Sequence, residues 1–346
     1  TGLDKKHLTD HQVRRHASTV QTALAVDATT VDVSDATDLA VGDVISIDIN
    51  NDVDTNWDYN NEFTVTGKSS NTLTFSPALT HTVKAGSVVM KVNRSIQIKG
   101  VDEDVRAFCY VEYYTDYNRA STREILLKDV EWEMMGGNTG NTYYRASVFV
   151  AGYNSRYRDN EYTTNSRQDF QSKYENCVVH NGNNKSQSYT GMNTRHTHGF
   201  IHRNCMSFNN GQTQFRAWSS HHDTQFVNNY ATRSSYSCYQ GDGMYEVGAD
   251  YSYNYMTRSD DYTVMLYHSR DMNPINYWII LNSENRWIYS YYMPQGTTFK
   301  RFHVDGFRYW AHNGPGGTDL NFQDCYIQNK WYKQVPGVYA GYTDSF

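Results

Sequence analysis

The sequence predicts an all-β protein, most of it a right-handed parallel β-helix of the pectate-lyase-like solenoid type, preceded by a small β module. Two observations support this prediction. The 346 residues include 30 Tyr, 14 Phe and 7 Trp but only 5 Pro, and aromatic residues favour strands. In the second part of the chain, a unit of Asn or Asp followed by an apolar or aromatic residue recurs roughly every two dozen residues. Because these units lack the apolar period of a helix, the repeat indicates stacked β coils.

The chain divides into three predicted segments. Residues 1–20 form a polar N-terminal arm, in which LTDHQVRRHAS could be helical. Residues 21–97 form a compact β module, because short alternating runs such as TVDV at 30–33 are typical of half-buried strands. Residues 98–346 form the predicted β-helix, with WYKQVPGVYAGYTDSF as a C-terminal cap or a contact between subunits.

The repeats are aligned on their asparagines. Placing Asn176, Asn204, Asn229 and Asn254 at one position gives spacings of 28, 25 and 25 residues. Stacked parallel coils rise by about 4.8 Å each. Side chains at one position of successive coils are therefore expected to form ladders, here of asparagines and of aromatic rings.

The module has a pattern that resembles a known domain. DLAVGDVISID at 38–48 precedes TVTG, NTLTFSP and then SVVMKVNRSIQIKG at 87–100. This order resembles the G8 domains that precede right-handed β-helices in the hyaluronidase-like, cell-migration-inducing group. It also resembles β modules of bacteriophage tail and baseplate β-helix proteins. The resemblance implies an extracellular or virion-surface protein that meets glycans.

A second stretch of the resemblance lies in SYSCYQGDGMYE. The positions that match the family's pattern are Cys238, Tyr239, Asp242, Gly243 and Glu246, whereas Ser237 and Gly241 replace a His and an acidic residue. Glycoside hydrolysis needs two carboxylates about 5 to 9.5 Å apart, and Asp242 with Glu246 is the best acid pair. His221, at the position of a His in the resemblance, is the expected general base. A turn at Asp242-Gly243 and a solvated Glu246 is the competing interpretation.

The expected binding residues surround this acid pair. Flat aromatic side chains with a polar tip suit sugar rings and protein interfaces alike. The predicted binding set is Tyr239, Tyr245, Trp218, His222 and Arg216.

Metal and cofactor chemistry is not predicted. His196, His198 and His202 lie in RHTHGFIH, where alternate residues of a strand share a face. No carboxylate in this motif completes a metal site, so a ladder of histidines is preferred and no metal is assigned. No phosphate loop, nucleophile elbow or HExxH motif occurs, and no cofactor is expected. The odd count of 5 Cys argues against a disulfide framework.

Charge and hydropathy limit the partners. The net charge is −6 without a basic stripe, so no nucleic-acid partner is expected. No apolar run approaches the roughly 20 residues of a membrane helix, so membrane insertion is not expected, and the start shows no signal-peptide pattern. The expected partners are other virion proteins or further copies of the chain, with a homotrimer among the alternatives, and a polysaccharide.

Three functions are compatible with these observations. The preferred one is a bacteriophage virion structural protein of the tail or baseplate that faces host-surface glycans. The alternatives are a glycan-degrading enzyme, either a glycoside hydrolase or a polysaccharide lyase, and a non-catalytic glycan-binding adhesin. The expected location is the virion, or otherwise the cell surface or the secreted fraction.

Overall fold

The computed structural model describes residues 17–47, 62–101, 108–115, 125–136, 146–154, 172–182, 190–195, 200–218, 225–234, 237–242, 250–252, 254–257, 262–267, 275–276, 279–291, 298–300, 303–313, 321–323 and 326–329. Within these ranges the chain forms strands and no α-helix, as the sequence predicted. No helix long and apolar enough to cross a membrane occurs in these ranges. Most of the predicted N-terminal arm and of the C-terminal cap lies outside them.

The first six strands form an antiparallel sheet. They are β1 (Ala17–Thr19), β2 (Thr30–Asp32), β3 (Val44–Ile47), β4 (Glu62–Ser69), β5 (Thr72–Ser76) and β6 (Val88–Lys91). Their order in the sheet is β1-β6-β3-β4-β5-β2. Alternation along β4 and β5 buries Phe63, Val65, Leu73 and Phe75, because successive side chains of a strand point to opposite faces. The rings of Phe63 and Phe75 meet edge to face, 5.0 Å between centroids.

All later strands pair in parallel, in one sheet of 15 strands and one of 8 strands. The 15-stranded sheet has two arms that are joined at one end, and we describe the arms as the first and second sheets and the 8-stranded sheet as the third. The first sheet contains β7 (Ile96–Lys99), β10 (Val130–Glu133), β13 (Val178–His180), β16 (Met206–Asn210), β19 (Tyr230–Ser234) and β22 (Tyr255–Thr257). The second contains β8 (Cys109–Thr115), β11 (Ala146–Asn154), β14 (Thr190–Arg195), β17 (Thr213–Trp218), β20 (Ser237–Asp242) and β23 (Tyr262–Tyr267). The third contains β9 (Leu126–Lys128), β12 (Lys173–Glu175), β15 (Ile201–Arg203), β18 (Gln225–Val227), β21 (Asp250–Ser252), β24 (Ile275–Asn276), β26 (Thr298–Lys300) and β28 (Asn321–Gln323).

Three further strands close the array: β25 (Ile279–Tyr291), β27 (His303–Asn313) and β29 (Tyr326–Asn329). β25 pairs with both β22 and β23, so it joins the first sheet to the second. Each strand pairs with the equivalent strand of the next coil, and this arrangement is a parallel β-helix. The predicted fold is therefore confirmed.

The coils follow the predicted period, but part of the predicted alignment was wrong. Asn176, Asn204 and Asn228 share one position after the strands of the third sheet, with φ of 56°, 55° and 56°. The sequence had aligned Asn229 with Asn204. Asn229 instead aligns with Cys205, whose backbone N–H donates to Asn229 Oδ1 at 3.0 Å. Asn229 and Asn254 form a second ladder, one residue farther along the coil.

The core of the β-helix contains a column of aromatic rings. Tyr174, His202 and Phe226 occupy one position in three neighbouring coils. Their ring centroids are 5.1 Å apart for Tyr174 and His202, and 5.8 Å apart for His202 and Phe226. An aromatic ladder was predicted, but His202 belongs to it as a fully buried member rather than as a surface or metal-binding histidine. His196 and His198 lie outside the described residues.

The β module packs on the outer face of the first sheet. The buried residues that it shares with this face are Val88, Met90 and Val92 from the module and Val178, Met206, Phe208 and Tyr230 from the β-helix. The contact also includes a hydrogen bond of 3.1 Å from Arg233 Nη2 to Ser46 Oγ. The module thus covers part of the first sheet.

Candidate functional site

The predicted site residues belong to two adjacent segments, those of β17 and β20. These strands pair in parallel, with Arg216 opposite Gln240 and Trp218 opposite Asp242. Neighbouring strands lie about 4.8 Å apart. The last residues of the two strands, Trp218 and Asp242, therefore lie side by side. We call this place the β17–β20 corner.

The structure describes only part of the predicted set. Trp218 is the last residue of β17, and Asp242 is the last residue of β20. Tyr239 is 2% exposed, and its ring centroid lies 4.6 Å from that of Phe226 in the core. In this position its ring supports the coil from within and does not face a ligand. The predicted residues outside the described ranges are His221, His222, Tyr245 and Glu246.

Next to this corner, a column of side chains crosses the outer face of the second sheet. Its members, one in each of five neighbouring coils, are Tyr110, Phe149, Asn193, Arg216 and Gln240. They alternate with Val148, Met192 and Phe215, which lie in the core. We call these five residues the outer column.

The outer column combines flat and hydrogen-bonding groups. The rings of Tyr110 and Phe149 are stacked, with centroids 5.4 Å apart and planes inclined by 15°. Asn193 is 1% exposed, and its Oδ1 accepts no hydrogen bond within the described part of the chain. Arg216 is partly exposed and follows in the next coil. Phe149, Asn193 and Gln240 are buried, so the members of the column that a ligand could contact directly are Tyr110, which is 37% exposed, and Arg216.

Buried hydroxyls and amides hold β17 and β20 in place. Thr213 and Ser237 begin these strands, and their hydroxyls are 3.0 Å apart. The Thr213 hydroxyl also donates to Gln240 Oε1 at 3.3 Å. Ser237 is fully buried, so a histidine, as in the resembled family, would be a much larger group to enclose here. These bonds fix the side chain of Gln240 within the outer column.

A second charged site lies where the module meets the β-helix. His180 Nδ1 donates to Glu62 Oε1 of the module at 2.9 Å, and His180 Nε2 donates to Glu131 Oε1 at 3.0 Å. Asn181 Nδ2 adds a bond of 2.8 Å to Glu62 Oε1. Glu62, His180 and Glu131 are called the ion-pair joint below. It connects the six-stranded sheet to two coils of the β-helix.

The charges of the joint stabilise one another. Burial alone would lower the pKa of His180, but the negative charge of Glu62 and the hydrogen bond with Glu131 raise the pKa to about 9. Burial would raise the pKa of Glu62, but the positive charge of His180 and the hydrogen bonds from His180 and Asn181 together outweigh burial, and the pKa falls to about 2. The imidazolium is therefore the stable form of His180 near neutral pH.

Sequence reasoning missed the joint. Glu131 and His180 stand in the runs DVEWEM and CVVHNG, which were recognised as repeats and not as sites. The available signal was a charged or titratable residue at an outward position of a strand that is otherwise apolar. Glu62 lies 118 residues from His180 along the chain, and no local pattern connects the two.

Comparison with known proteins finds similarity at the level of solved structures. No family model matches the chain, so the resemblance to G8 domains stays a prediction. No curated protein matches it with significance. The tailspike protein gp49 from Pseudomonas phage LKA1 is similar at 14% identity and a TM-score of 0.29, over 91% of this chain and 62% of that chain.

Two further structures are similar over most of this chain. The Gp54 tailspike of Acinetobacter baumannii bacteriophage AP22, in complex with A. baumannii capsular saccharide, has 13% identity and a TM-score of 0.22, over 90% of this chain and 57% of that chain. The catalytic domain of a GH87 alpha-1,3-glucanase has 7% identity and a TM-score of 0.26, over 93% and 66%. This chain spans about three fifths of the length of the two tailspikes. The assignment of the fold rests on the strand pairing described above.

Proposed function

We propose that this chain is a virion-surface protein of a bacteriophage tail or baseplate, and that its β-helix binds a host-surface polysaccharide at the β17–β20 corner. The proposal rests on one observation: the parallel pairing of Trp218 with Asp242. This register brings the ends of β17 and β20 together, and each of the eight predicted catalytic and binding residues belongs to one of these strands or follows it closely in the sequence. Loops on a rigid scaffold are where binding residues concentrate.

The outer column supports a glycan as the ligand. The exposed ring of Tyr110 suits the apolar face of a sugar, and the partly exposed guanidinium of Arg216 can donate to a hydroxyl or carboxylate group. The column runs along the β-helix axis for five coils, a span of about 19 Å at the usual strand spacing. An extended chain of sugars is long enough to follow such a row, whereas a single small molecule would contact only part of it.

Binding is tested with the purified chain and a panel of bacterial capsular and O-antigen polysaccharides. Arg216→Ala should weaken binding at least about tenfold, because a lost hydrogen bond to a charged group costs about 1.5–3 kcal/mol. Arg203→Ala is the matched control, since Arg203 lies on the third sheet. Equal affinity of wild type and Arg216→Ala for a bound polysaccharide contradicts a binding site at this corner.

Cleavage of the bound glycan is the second candidate function, and it is supported by the position of Asp242 at the end of β20. Glu246 follows four residues later in the chain. If the two carboxyls form a catalytic pair, Asp242→Asn and Glu246→Gln each abolish the release of reducing or unsaturated ends while binding persists. Glu175→Gln, on the third sheet, should cleave like wild type. Undiminished cleavage by both site variants removes this pair from the mechanism.

The virion assignment has its own test. Mass spectrometry of purified particles of the encoding phage should find the chain at a fixed copy number. A multiple of three would favour the homotrimer among the alternatives for its assembly. Absence of the chain from the particles contradicts the virion role and leaves the secreted or cell-surface alternatives.

A further inference from the structure

We infer that Glu131, Glu133 and His180 form a binding site for one divalent transition-metal ion at the junction of the module and the β-helix. Glu131 and Glu133 stand on the same side of β10, and Glu133 pairs directly with His180 of β13 in the next coil. One ligand atom from each residue lies within 4.8 Å of the other two. Bonds to a metal of about 2.0–2.2 Å need only small movements of the two flexible carboxylates.

The position of Glu62 is a second, independent observation that favours a metal. Glu62 Oε1 accepts the hydrogen bond of His180 Nδ1 at 2.9 Å, which directs Nε2 towards Glu131. Histidines that bind metals usually donate their other N–H to a carboxylate in this way. Glu62 comes from the six-stranded sheet, so metal binding here would connect the module to the β-helix.

Glu131 and Glu133 accept hydrogen bonds that a metal would partly replace. Gln97 Nε2 donates to Glu131 Oε1 at 3.1 Å and to Glu133 Oε2 at 3.4 Å, and the exposed Gln97 side chain can turn away. The backbone N–H of Arg94 donates to Glu131 Oε2 at 3.1 Å, which leaves Glu131 Oε1 for an ion.

The other groups that satisfy the ligands can be displaced as well. Lys99 Nζ donates to Glu133 Oε1 at 2.7 Å, and the Lys99 side chain is 48% exposed, so the ammonium group can turn into solvent. The proton on His180 Nε2 would leave to solvent as the metal takes its place. Glu133 remains 13% exposed, which gives an ion a path from the surface to the buried ligands.

The ligand types point to the kind of metal. One imidazole nitrogen and two carboxylates suit Zn²⁺, Mn²⁺ or Co²⁺ better than Ca²⁺, which takes six to eight oxygen ligands. Binding at His180 must release a proton, because only the neutral imidazole is a ligand.

The test uses the full chain after dialysis against EDTA. Equilibrium dialysis with ZnCl₂ and, separately, MnCl₂ should give about one ion per chain. Glu133→Gln should weaken binding at least about tenfold. Glu62→Gln should also weaken it, because glutamine still orients His180 but no longer raises the basicity of the ring through a carboxylate charge. Glu133→Gln leaves the bonds of His180 to Glu62 and Glu131 in place, so it separates metal binding from folding.

Glu175→Gln is the matched control, because it removes a carboxylate from the third sheet and leaves the junction unchanged. It should bind the ion like wild type. Retention of the ion by wild type and Glu175→Gln, with loss in Glu133→Gln, supports the site. Absence of binding to wild type, or equal affinity in wild type and Glu133→Gln, overturns it.

Discussion

His202 is a titratable ring enclosed by apolar rings, those of Tyr174, Phe200 and Phe226 among them. Its Nδ1 has no hydrogen-bond partner within the described residues, and its Nε2 lies 3.5 Å from the Thr194 hydroxyl. Burial lowers the pKa of His202 to about 3, because the charged ring would lose its hydration. The ring is therefore neutral in the folded protein.

This burial predicts sensitivity to acid. Above the unfolded pKa of about 6.5, His202 is neutral in both states and does not affect the pH dependence. As the pH falls from about 6.5 towards 3, His202 binds a proton in the unfolded chain but not in the folded chain. Stability should then fall by up to about 1.4 kcal/mol per pH unit.

The variant His202→Phe tests this prediction, because it keeps an aromatic ring in the column and cannot be protonated. We expect the urea midpoints of wild type and variant to be similar near pH 7. At about pH 4.5 the variant should be more stable by roughly 2–3 kcal/mol. Parallel pH profiles of the two proteins would show that the acid response comes from other groups.

At the residue scale, the sequence predicted that His202 belongs to a ladder of side chains, but not that its ring is buried and neutral. Its place among aromatic positions of the repeat was visible in the sequence, but burial depends on coils above and below it. For the same reason, the ion-pair joint could not be predicted from the sequence. The bond between Glu62 and His180 depends on the packing of two sheets, whereas each residue alone is an ordinary charged or polar position of a strand.

At the scale of elements, the turn between the third and first sheets repeats with one backbone conformation. Asp129, Asn176, Asn204 and Asn228 all have φ near 55°, a region that Asn and Gly adopt far more readily than other residues. Asn228 Nδ2 also donates to Asn204 Oδ1 at 2.7 Å. This position therefore favours asparagine or aspartate, both for the backbone conformation and for the side-chain hydrogen bond.

Substitution of Asn228 separates these two contributions. Asn228→Gly should lose only the hydrogen bond, about 1 kcal/mol. Asn228→Ala should lose about 2 kcal/mol, because alanine also bears the cost of the left-handed conformation. Urea unfolding measures both values. If the two variants are equally stable, the backbone conformation is not what selects asparagine here.

The same turn explains why the predicted period was right and part of the alignment was wrong. Asn228 and Asn229 are neighbours, and the sequence alone does not tell which of them takes the left-handed conformation. The pairing of β15 with β18 makes Asn228 the residue equivalent to Asn204, and Asn228 takes the left-handed conformation. The coil between Leu127 and Tyr174 is also longer than the others, at 47 residues, and such an insertion conceals the period at its start.

At the scale of the whole molecule, the ion-pair joint and the apolar cluster beside it hold the module on the β-helix. Glu62 belongs to the six-stranded sheet and His180 to the first parallel sheet. His180 is almost completely buried, while the Glu62 side chain keeps 23% of its exposure. Breaking a fully buried ion pair costs about 3–5 kcal/mol, and the partial exposure of Glu62 reduces this through solvent screening.

The variant Glu62→Gln should therefore lower the free energy of unfolding by about 1–2 kcal/mol. Glutamine can still accept the hydrogen bond of His180 Nδ1, so the loss reports the charge of Glu62. Urea unfolding with EDTA present measures the effect at low and at high NaCl concentration. Because His180 is buried, most of the loss should persist in high salt.

Lys128→Gln provides the matched control, since Lys128 is 49% exposed and 3.6 Å from Glu175 on the third sheet. Such a surface pair contributes about 0–1 kcal/mol, and we expect a small effect that salt removes. If Glu62→Gln unfolds like wild type, the charge pair does not hold the two parts together. The remaining contacts, the apolar ones of Val88, Met90 and Val92 among them, are then sufficient.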